Sequence, residues 1–221
     1  MSVVEALARE VGAVGKAVHA WRGADWERPT RCPPMTVKDL VAHVARGGSR
    51  ITEMIGAGTV DAEPQTDAVT YFQYDPAAEA SRILQRAQGE AGARTTDELV
   101  RYWDEAWGGG LRRARESVDE DPVLHNVFGG LIRLSEYLKT RVVEVAVHHM
   151  DLDDAFGQRP HPDREAAEIA GDVLRGLLGT DLRGAGMDDV RFLLTGTGRA
   201  QLDEDERAYL GPLASRFPLL A

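Results

Sequence analysis

A chain of 221 residues with 43% hydrophobic and 28% charged residues has the composition of an ordinary globular protein with a buried core. The formal net charge of −10 argues against nucleic-acid binding, because no basic stripe is available to meet phosphates. Apolar runs fall short of the roughly 18–20 residues of a membrane span, and the acidic N-terminus argues against a signal peptide. The sequence therefore predicts a cytoplasmic protein that binds neither nucleic acid nor membranes.

Apolar residues at helical spacing predict one helix over residues 2–21 and a second helix that begins after Thr36 and ends near Ile55. Thr36 followed by Asp39 resembles a capping box, which defines the start of the second helix. The polar stretch 58–75 predicts a long loop, and such loops are often functional lids. Three aromatic residues in it either wall a pocket or pack the loop onto the protein: Tyr71, Phe72 and Tyr74.

Two more amphipathic patterns predict helices over residues 76–91 and about 97–118. Trp103 and Trp107 lie four residues apart in the second of these helices, which favours core packing over a binding role. The glycines at 108–110 are unfavourable in a helix interior. They indicate either a kink or the close approach of another backbone.

A loop that contains His125, interpreted as a surface residue, leads into a helix predicted over residues 131–156. The remaining chain predicts a helix over 163–178, a short strand over 190–195 and a helical turn over 203–210. The fold class is therefore predicted to be mainly α, with a small α/β appendage at the C-terminal end.

A stripe of polar residues runs along the otherwise apolar helix over residues 131–156. Its members follow one another at spacings of four and three: Tyr137, Arg141, Glu144, His148 and Asp151. Valines cover the other sides of this helix, so the stripe is expected to line the protein interior. Glu144 and His148 share one face, and a buried carboxylate requires a cation or a proton. The pair is either a hydrogen-bonded core pair without a function or part of a metal site.

A third ligand would favour the metal site, and His43 is the best candidate. It lies beside Leu40 at the edge of the apolar stripe of the second helix. Two imidazoles and a carboxylate with one open position form the ligand set of a catalytic zinc site, although another divalent metal is compatible with it. His149 points about 100° away from His148 and is expected to pack or to form a hydrogen bond. It is nevertheless the main rival ligand.

Three phrases carry a resemblance to a known family: TVKDLVAHVA at 36–45, RVVEVAVHHMDL at 141–152, and the ending from TGTGR at 195–199 to RFPL at 216–219. Together they resemble the mycothiol-dependent maleylpyruvate isomerase family, within the DinB-like superfamily of thiol-dependent metalloenzymes. The resemblance spans nearly the whole chain. It implies a DinB-like four-helix bundle over residues 1–160, with residues 161–221 as a C-terminal extension packed on the bundle.

The same resemblance implies a zinc ion held by His43, Glu144 and His148, with mycothiol as the thiol cosubstrate. The zinc ion would act as a Lewis acid and lower the pKa of the bound thiol. The thiolate would then isomerise a small electrophile such as maleylpyruvate, or be transferred onto one. Arg141 and Asp151 are expected beside the metal, where a carboxylate orients an imidazole and a guanidinium balances charge.

The residues that bind the thiol are less defined. Arg199 and Tyr137 are the candidates. Arg199 and Arg191 could each contact an anionic substrate, but the favoured interpretation of both is a plain surface arginine. Cys32 is the only cysteine, and an inert loop residue is favoured over a nucleophile. The thiol is therefore expected to come from a cosubstrate.

Two other functional classes remain open at this point. One is a non-catalytic bundle that binds a metal or a partner. The other is a zinc hydrolase that uses metal-bound water, although the His-Glu-x-x-His signature is absent from the sequence. The sequence also leaves a homodimer open, since bundles of this type often dimerise.

Overall fold

Helices account for most of the structure, a computed structural model that describes residues 2–73, 76–180 and 187–220. Eight α-helices lie in these ranges: α1 (Val3–Ala20), α2 (Val37–Gly56), α3 (Pro76–Gly92), α4 (Thr96–Ser117), α5 (Leu134–Ala155), α6 (Arg164–Leu178), α7 (Asp189–Gly196) and α8 (Glu204–Leu210). Two short strands, β1 (Val123–His125) and β2 (Leu131–Arg133), form an antiparallel hairpin directly before α5. The predicted mainly α fold class is confirmed.

Helices α1, α2, α4 and α5 enclose the main core. α2 packs against α4 and α5, and α1 packs against the same two helices. Apolar residues at spacings of three and four face inward, and Leu7 on α1 and Leu40 on α2 are fully buried. α3 packs on α2, whereas α6 covers α5 and α1 and contacts α7. One face of α2 and one face of α5 therefore meet inside this bundle.

The start of α2 is fixed by the predicted capping box. The Thr36 hydroxyl accepts a hydrogen bond from the Asp39 amide at 3.3 Å, and the Asp39 carboxylate accepts one from the Thr36 amide at 2.9 Å. α2 then continues to Gly56, close to the predicted end at Ile55. The cap sets the first residue of α2 and therefore the position of His43 along the helix.

α2 and α4 approach closely at a pair of glycines. A Cβ atom added to Gly110 would lie 2.5 Å from the carbonyl oxygen of Gly48, and one added to Gly48 would lie 2.7 Å from the backbone of Ala106. α4 runs without a break through residues 108–110. The glycine run therefore serves a close backbone approach, one of the two alternatives that the sequence leaves open.

The strand predicted over residues 190–195 is wrong, because helix α7 occupies this segment. The Asp188 carboxylate accepts a hydrogen bond from the Arg191 amide at 2.7 Å and caps the helix. Phe192 and Leu193 are buried, and α7 packs on α6. The cap and this packing outweigh the strand propensity of the segment, since such propensity depends strongly on context.

The small sheet lies ahead of α5, in a segment predicted as loop and helix start. Leu124 pairs with Ile132, and both side chains are fully buried. His125 is exposed at the end of β1, in agreement with its interpretation as a surface residue. In the long loop, Tyr71 and Phe72 are buried, whereas Tyr74 lies outside the described residues.

The boundary between bundle and extension at residue 160 stays a prediction. Beyond it, the described part of the extension is helical, and α6 packs directly on the bundle. Across the described ranges, no helix combines the length and apolar character needed to cross a bilayer.

Candidate metal centre

His43, Glu144 and His148 meet in space although they come from two distant segments. The Glu144 carboxylate lies 3.4 Å from Nε2 of His43 and 3.6 Å from Nε2 of His148. The two imidazole rings are edge to face, with centroids 5.2 Å apart. One donor atom of each residue lies within 4.8 Å of the other two. These three residues, called the triad below, thus surround one point.

The triad is less buried than the sequence predicts. Its side chains are 15% (His148), 23% (His43) and 26% (Glu144) exposed. The expectation of interior positions rests on the valines that surround α5, and those valines are indeed buried. The polar face of α5, however, borders two cavities and not a sealed core. A small molecule can therefore reach the triad.

Charged groups of both signs surround the triad. Burial alone would raise the pKa of Glu144, but His43 and Arg141 hold it well below its usual range. Burial alone would lower the pKa of His148, but the hydrogen bond to Asp151 helps to raise it to about 10. The same negative charge that attracts a proton to His148 also attracts a cation.

Asp151 holds the ring of His148 from behind. Its carboxylate is fully buried and lies 2.9 Å from Nδ1 of His148. Arg199 donates two hydrogen bonds to the same carboxylate, at 2.9 Å from Nε and 2.8 Å from Nη2. His148 and Arg199 hold the pKa of Asp151 well below its usual range, against the opposing effect of burial. A carboxylate on Nδ1 leaves Nε2 directed toward the triad, as in metal-ligating histidines.

Arg199 is therefore not the plain surface arginine that the sequence favours. Its side chain is 17% exposed and forms an ion pair with a residue 48 positions earlier in the chain. Arg191 lies elsewhere and donates hydrogen bonds to Glu206 at 2.7 Å.

Cys32 also lies beside the triad, which sequence reasoning missed. Its Sγ donates to the Asp151 carboxylate at 3.3 Å, and Nη2 of Arg199 lies 3.8 Å from the same sulfur. The contact joins residues 119 positions apart. No pattern in the sequence around Cys32 indicates it, because the loop before α2 is brought to α5 only by the packing of the bundle.

Arg141 and Tyr137 lie on the other side of Glu144. Arg141 donates to the hydroxyl of Tyr71 at 3.4 Å and to that of Thr140 at 3.2 Å. Its guanidinium lies 5.0 Å from the ring centroid of Tyr137. Tyr137 is fully buried, and its hydroxyl has no hydrogen-bond partner within the described ranges.

Two cavities meet at the triad. The first, about 430 Å³, is called the arginine cavity after five residues that line it: Arg46, Arg50, Arg82, Arg86 and Arg141. The second, about 1340 Å³, is called the C-terminal cavity after residues of the extension in its wall: Thr197, Gly198, Arg199, Gln201 and Pro218. His43 and Glu144 line both cavities, whereas His148 lines the C-terminal cavity.

His149, the rival ligand, lies outside this site. Its Nδ1 is 2.7 Å from the carboxylate of Glu10 on α1, and its donor atoms group with those of Asp153 and His161. The interpretation of His149 as a packing or hydrogen-bonding residue agrees with these contacts.

Comparison with known proteins supports the resemblance. The family described as "Mycothiol maleylpyruvate isomerase N-terminal domain" matches residues 7–153, about two thirds of the chain. Neither the curated proteins nor the solved structures gave a match. The matched segment contains all three residues of the triad and Asp151. The chain therefore belongs to the mycothiol maleylpyruvate isomerase N-terminal domain family.

Proposed function

We propose that this protein is a metal-dependent enzyme that uses a low-molecular-weight thiol, mycothiol, to isomerise a small electrophile such as maleylpyruvate, or that transfers this thiol onto such an electrophile. The observation that carries the proposal is the triad, whose donor atoms surround one point at the junction of two cavities. Family membership supplies the link to mycothiol.

The triad fits a zinc-type ion. Ligand bonds of about 2.0–2.1 Å in tetrahedral geometry place neighbouring ligand atoms roughly 3.3–3.4 Å apart. The separations of 3.4 and 3.6 Å from Glu144 to the two histidines agree with this value. Two imidazoles and a carboxylate also match the donor set of catalytic zinc sites, which keep one position for substrate. His43, Glu144 and His148 would hold the ion.

The ion, when bound, supplies Lewis acidity that lowers the pKa of a thiol beside it. The side chains around it perform separate tasks. Asp151 accepts a hydrogen bond from Nδ1–H of His148, which leaves Nε2 as the nitrogen that would bind the ion. Arg199 keeps Asp151 ionised, because its guanidinium donates to both carboxylate oxygens. Arg141 offsets the charge of Glu144 from the opposite side.

The two cavities suit two different molecules. The C-terminal cavity, about three times the volume of the other, accommodates the larger cosubstrate, the thiol. The arginine cavity accommodates the smaller electrophile. Because His43 and Glu144 line both cavities, a sulfur atom and an electrophilic carbon can meet at the triad without crossing the protein.

The walls of the arginine cavity favour an electrophile with carboxylate groups. Guanidinium groups are the preferred partners of carboxylates, and five arginines line this cavity. Tyr137 and Trp107 also line it, and the Tyr137 hydroxyl and the Trp107 Nε1 are buried donors without a hydrogen-bond partner within the described ranges. Unsatisfied buried donors are uncommon and costly. A bound carboxylate would give them an acceptor.

The test is a turnover assay with maleylpyruvate and zinc-loaded protein, in the presence and absence of mycothiol. The wild type should require both the metal and the thiol. His43→Ala should lose the zinc bound at the triad and reduce turnover by at least about 100-fold, since even outer partners of metal ligands contribute about 10–100-fold. His125→Ala is the matched control, because His125 is exposed and outside both cavities. It should behave as the wild type.

Three results would contradict the proposal. Turnover of an ester or amide without any thiol would indicate a zinc hydrolase. Zinc-loaded protein that is inactive with mycothiol and other small thiols, across a panel of electrophiles, would indicate a non-catalytic binder. Full activity in His43→Ala would show that the reaction does not depend on the triad.

A further inference from the structure

A second group of metal-ligating side chains lies near the C-terminal end of α5, on the side that faces α1. It consists of Glu10, His149, Asp153 and His161 and is called the His149 cluster below. Glu10 is fully buried, while His149 and Asp153 are 3% and 5% exposed. His161 lies in the loop between α5 and α6 and is exposed, so it connects the buried members to solvent.

His149 is held in the manner of a metal ligand. Its Nδ1 lies 2.7 Å from the Glu10 carboxylate, whose other oxygen accepts the Asp163 amide at 2.6 Å. With a carboxylate on Nδ1, the lone pair of His149 is at Nε2. That nitrogen faces Oδ1 of Asp153 at 3.9 Å, which is too long for a hydrogen bond. The same carboxylate–imidazole arrangement positions His148 in the triad.

Asp153 and His161 complete the cluster. Oδ2 of Asp153 accepts the backbone amide of His161 at 3.0 Å and lies 2.9 Å from Nδ1 of its ring. The rings of His149 and His161 have centroids 4.8 Å apart. One donor atom from each of His149, Asp153 and His161 lies within 4.8 Å of the other two.

From this geometry we propose that His149, Asp153 and His161 form a second binding site for a divalent transition ion of the zinc type. Two imidazoles and a carboxylate suit Zn²⁺ and its neighbours better than Mg²⁺ or Ca²⁺, which prefer oxygen ligands. The distance of 3.9 Å between His149 and Asp153 exceeds the roughly 3.3–3.4 Å expected around zinc by only about half an ångström. A small movement of the Asp153 side chain closes this gap.

An ion at this site would stabilise the fold and would take no part in catalysis. Its ligands join α5 to the loop that leads into α6, and Glu10 adds α1. His149 and His148 point about 100° apart on α5, so the two sites lie on different sides of one helix. An ion here would fasten the start of the C-terminal extension to the bundle.

The experiment counts zinc in full-length protein that has been loaded with zinc chloride and desalted. Wild type should retain two equivalents per chain, and His161→Ala should retain one, because a three-ligand site rarely survives the loss of a ligand. His161→Cys should restore the second equivalent, since a thiolate replaces the imidazole. His125→Ala should retain two. Added zinc should also raise the melting temperature of the wild type more than that of His161→Ala.

His43→Ala distinguishes the two sites. It should lose one equivalent and keep the one that His161→Ala removes, and the double variant should retain none. Equal zinc content in wild type and His161→Ala would overturn the second site whatever happens at the triad. The second site would also be overturned if His161→Ala loses one equivalent and His161→Cys does not restore it. The loss would then result from a disturbed loop and not from a missing ligand.

Discussion

The contact between α2 and α4 predicts opposite effects for two neighbouring glycine-to-alanine substitutions. A Cβ atom at Gly110 would lie 2.5 Å from the carbonyl oxygen of Gly48, whereas ordinary contact begins at 3.4 Å. The two helices must therefore separate by up to about 0.9 Å to accept Gly110→Ala, because the clash is with backbone. A Cβ atom at Gly108, two residues earlier in the same run, meets nothing within 4 Å in the part of the chain that the structure describes.

The free energies follow from these contacts. Alanine is about 1 kcal/mol more favourable than glycine inside a helix, so Gly108→Ala should stabilise the protein by roughly that amount. Gly110→Ala receives the same benefit but must overpack the interface, which shifts the backbone and typically costs about 1–3 kcal/mol. The difference is a net destabilisation of about 0–2 kcal/mol, centred near about 1 kcal/mol. For a protein of this length, about 1 kcal/mol shifts the melting temperature by roughly 2–4 °C.

The assay is urea and thermal unfolding of both variants beside the wild type, with zinc affinity measured in parallel. Gly110→Ala should also weaken zinc binding, because α2 carries His43 and a shift of several tenths of an ångström disturbs a ligand set. Gly108→Ala should bind zinc normally. Equal stabilisation by both substitutions would refute the close approach of the two helices.

Two further predictions concern single side chains. Tyr137→Phe should leave the protein at least as stable as the wild type, because it removes a buried hydroxyl that has no hydrogen-bond partner within the described ranges. The same substitution should raise KM for a carboxylate-bearing electrophile by about 10-fold. An unchanged KM would contradict a substrate contact at this hydroxyl. Glu206→Gln should lower stability at pH 7 by about 1 kcal/mol. The hydrogen bond from Arg191 lowers the pKa of Glu206 below 4.5, so its contribution is complete above that pH and declines as the pH falls through the lowered pKa. Unfolding curves at pH 7 and pH 3 should therefore show a smaller difference between variant and wild type at the lower pH.

Local signals in the sequence were sufficient for most helices. The capping box at Thr36 and the apolar spacing of α2 determine that helix almost by themselves, and both are as predicted. The strand predicted over 190–195 failed because packing on α6 and the cap at Asp188 are not visible in a pattern of six residues. The hairpin before α5 was missed for a related reason. Its strands are only three residues long, too short for alternation to be recognised.

For the candidate site, too, the sequence predicts some features and misses others. The stripe from Tyr137 to Asp151 follows from helical periodicity, so its members could be predicted to share one face. Periodicity could not show that this face borders cavities, and Glu144 and His148 are consequently more exposed than predicted. Nor could it show that Cys32 contacts Asp151, because that contact depends on how a loop before α2 lies against α5.

The role of Arg199 connects the C-terminal extension to the chemistry proposed for the bundle. The family match ends at residue 153, within α5, and the triad and Asp151 lie inside it. The buried carboxylate of Asp151 nevertheless receives two hydrogen bonds from Arg199, which lies well outside the matched segment. An ionised carboxylate in such a position is costly without a compensating cation. The bundle supplies the three residues of the triad. The extension supplies the charge that keeps Asp151 ionised behind His148, and it also forms part of the wall of the larger cavity. A matched segment without the extension would therefore retain the triad and lose the charge balance that orients it.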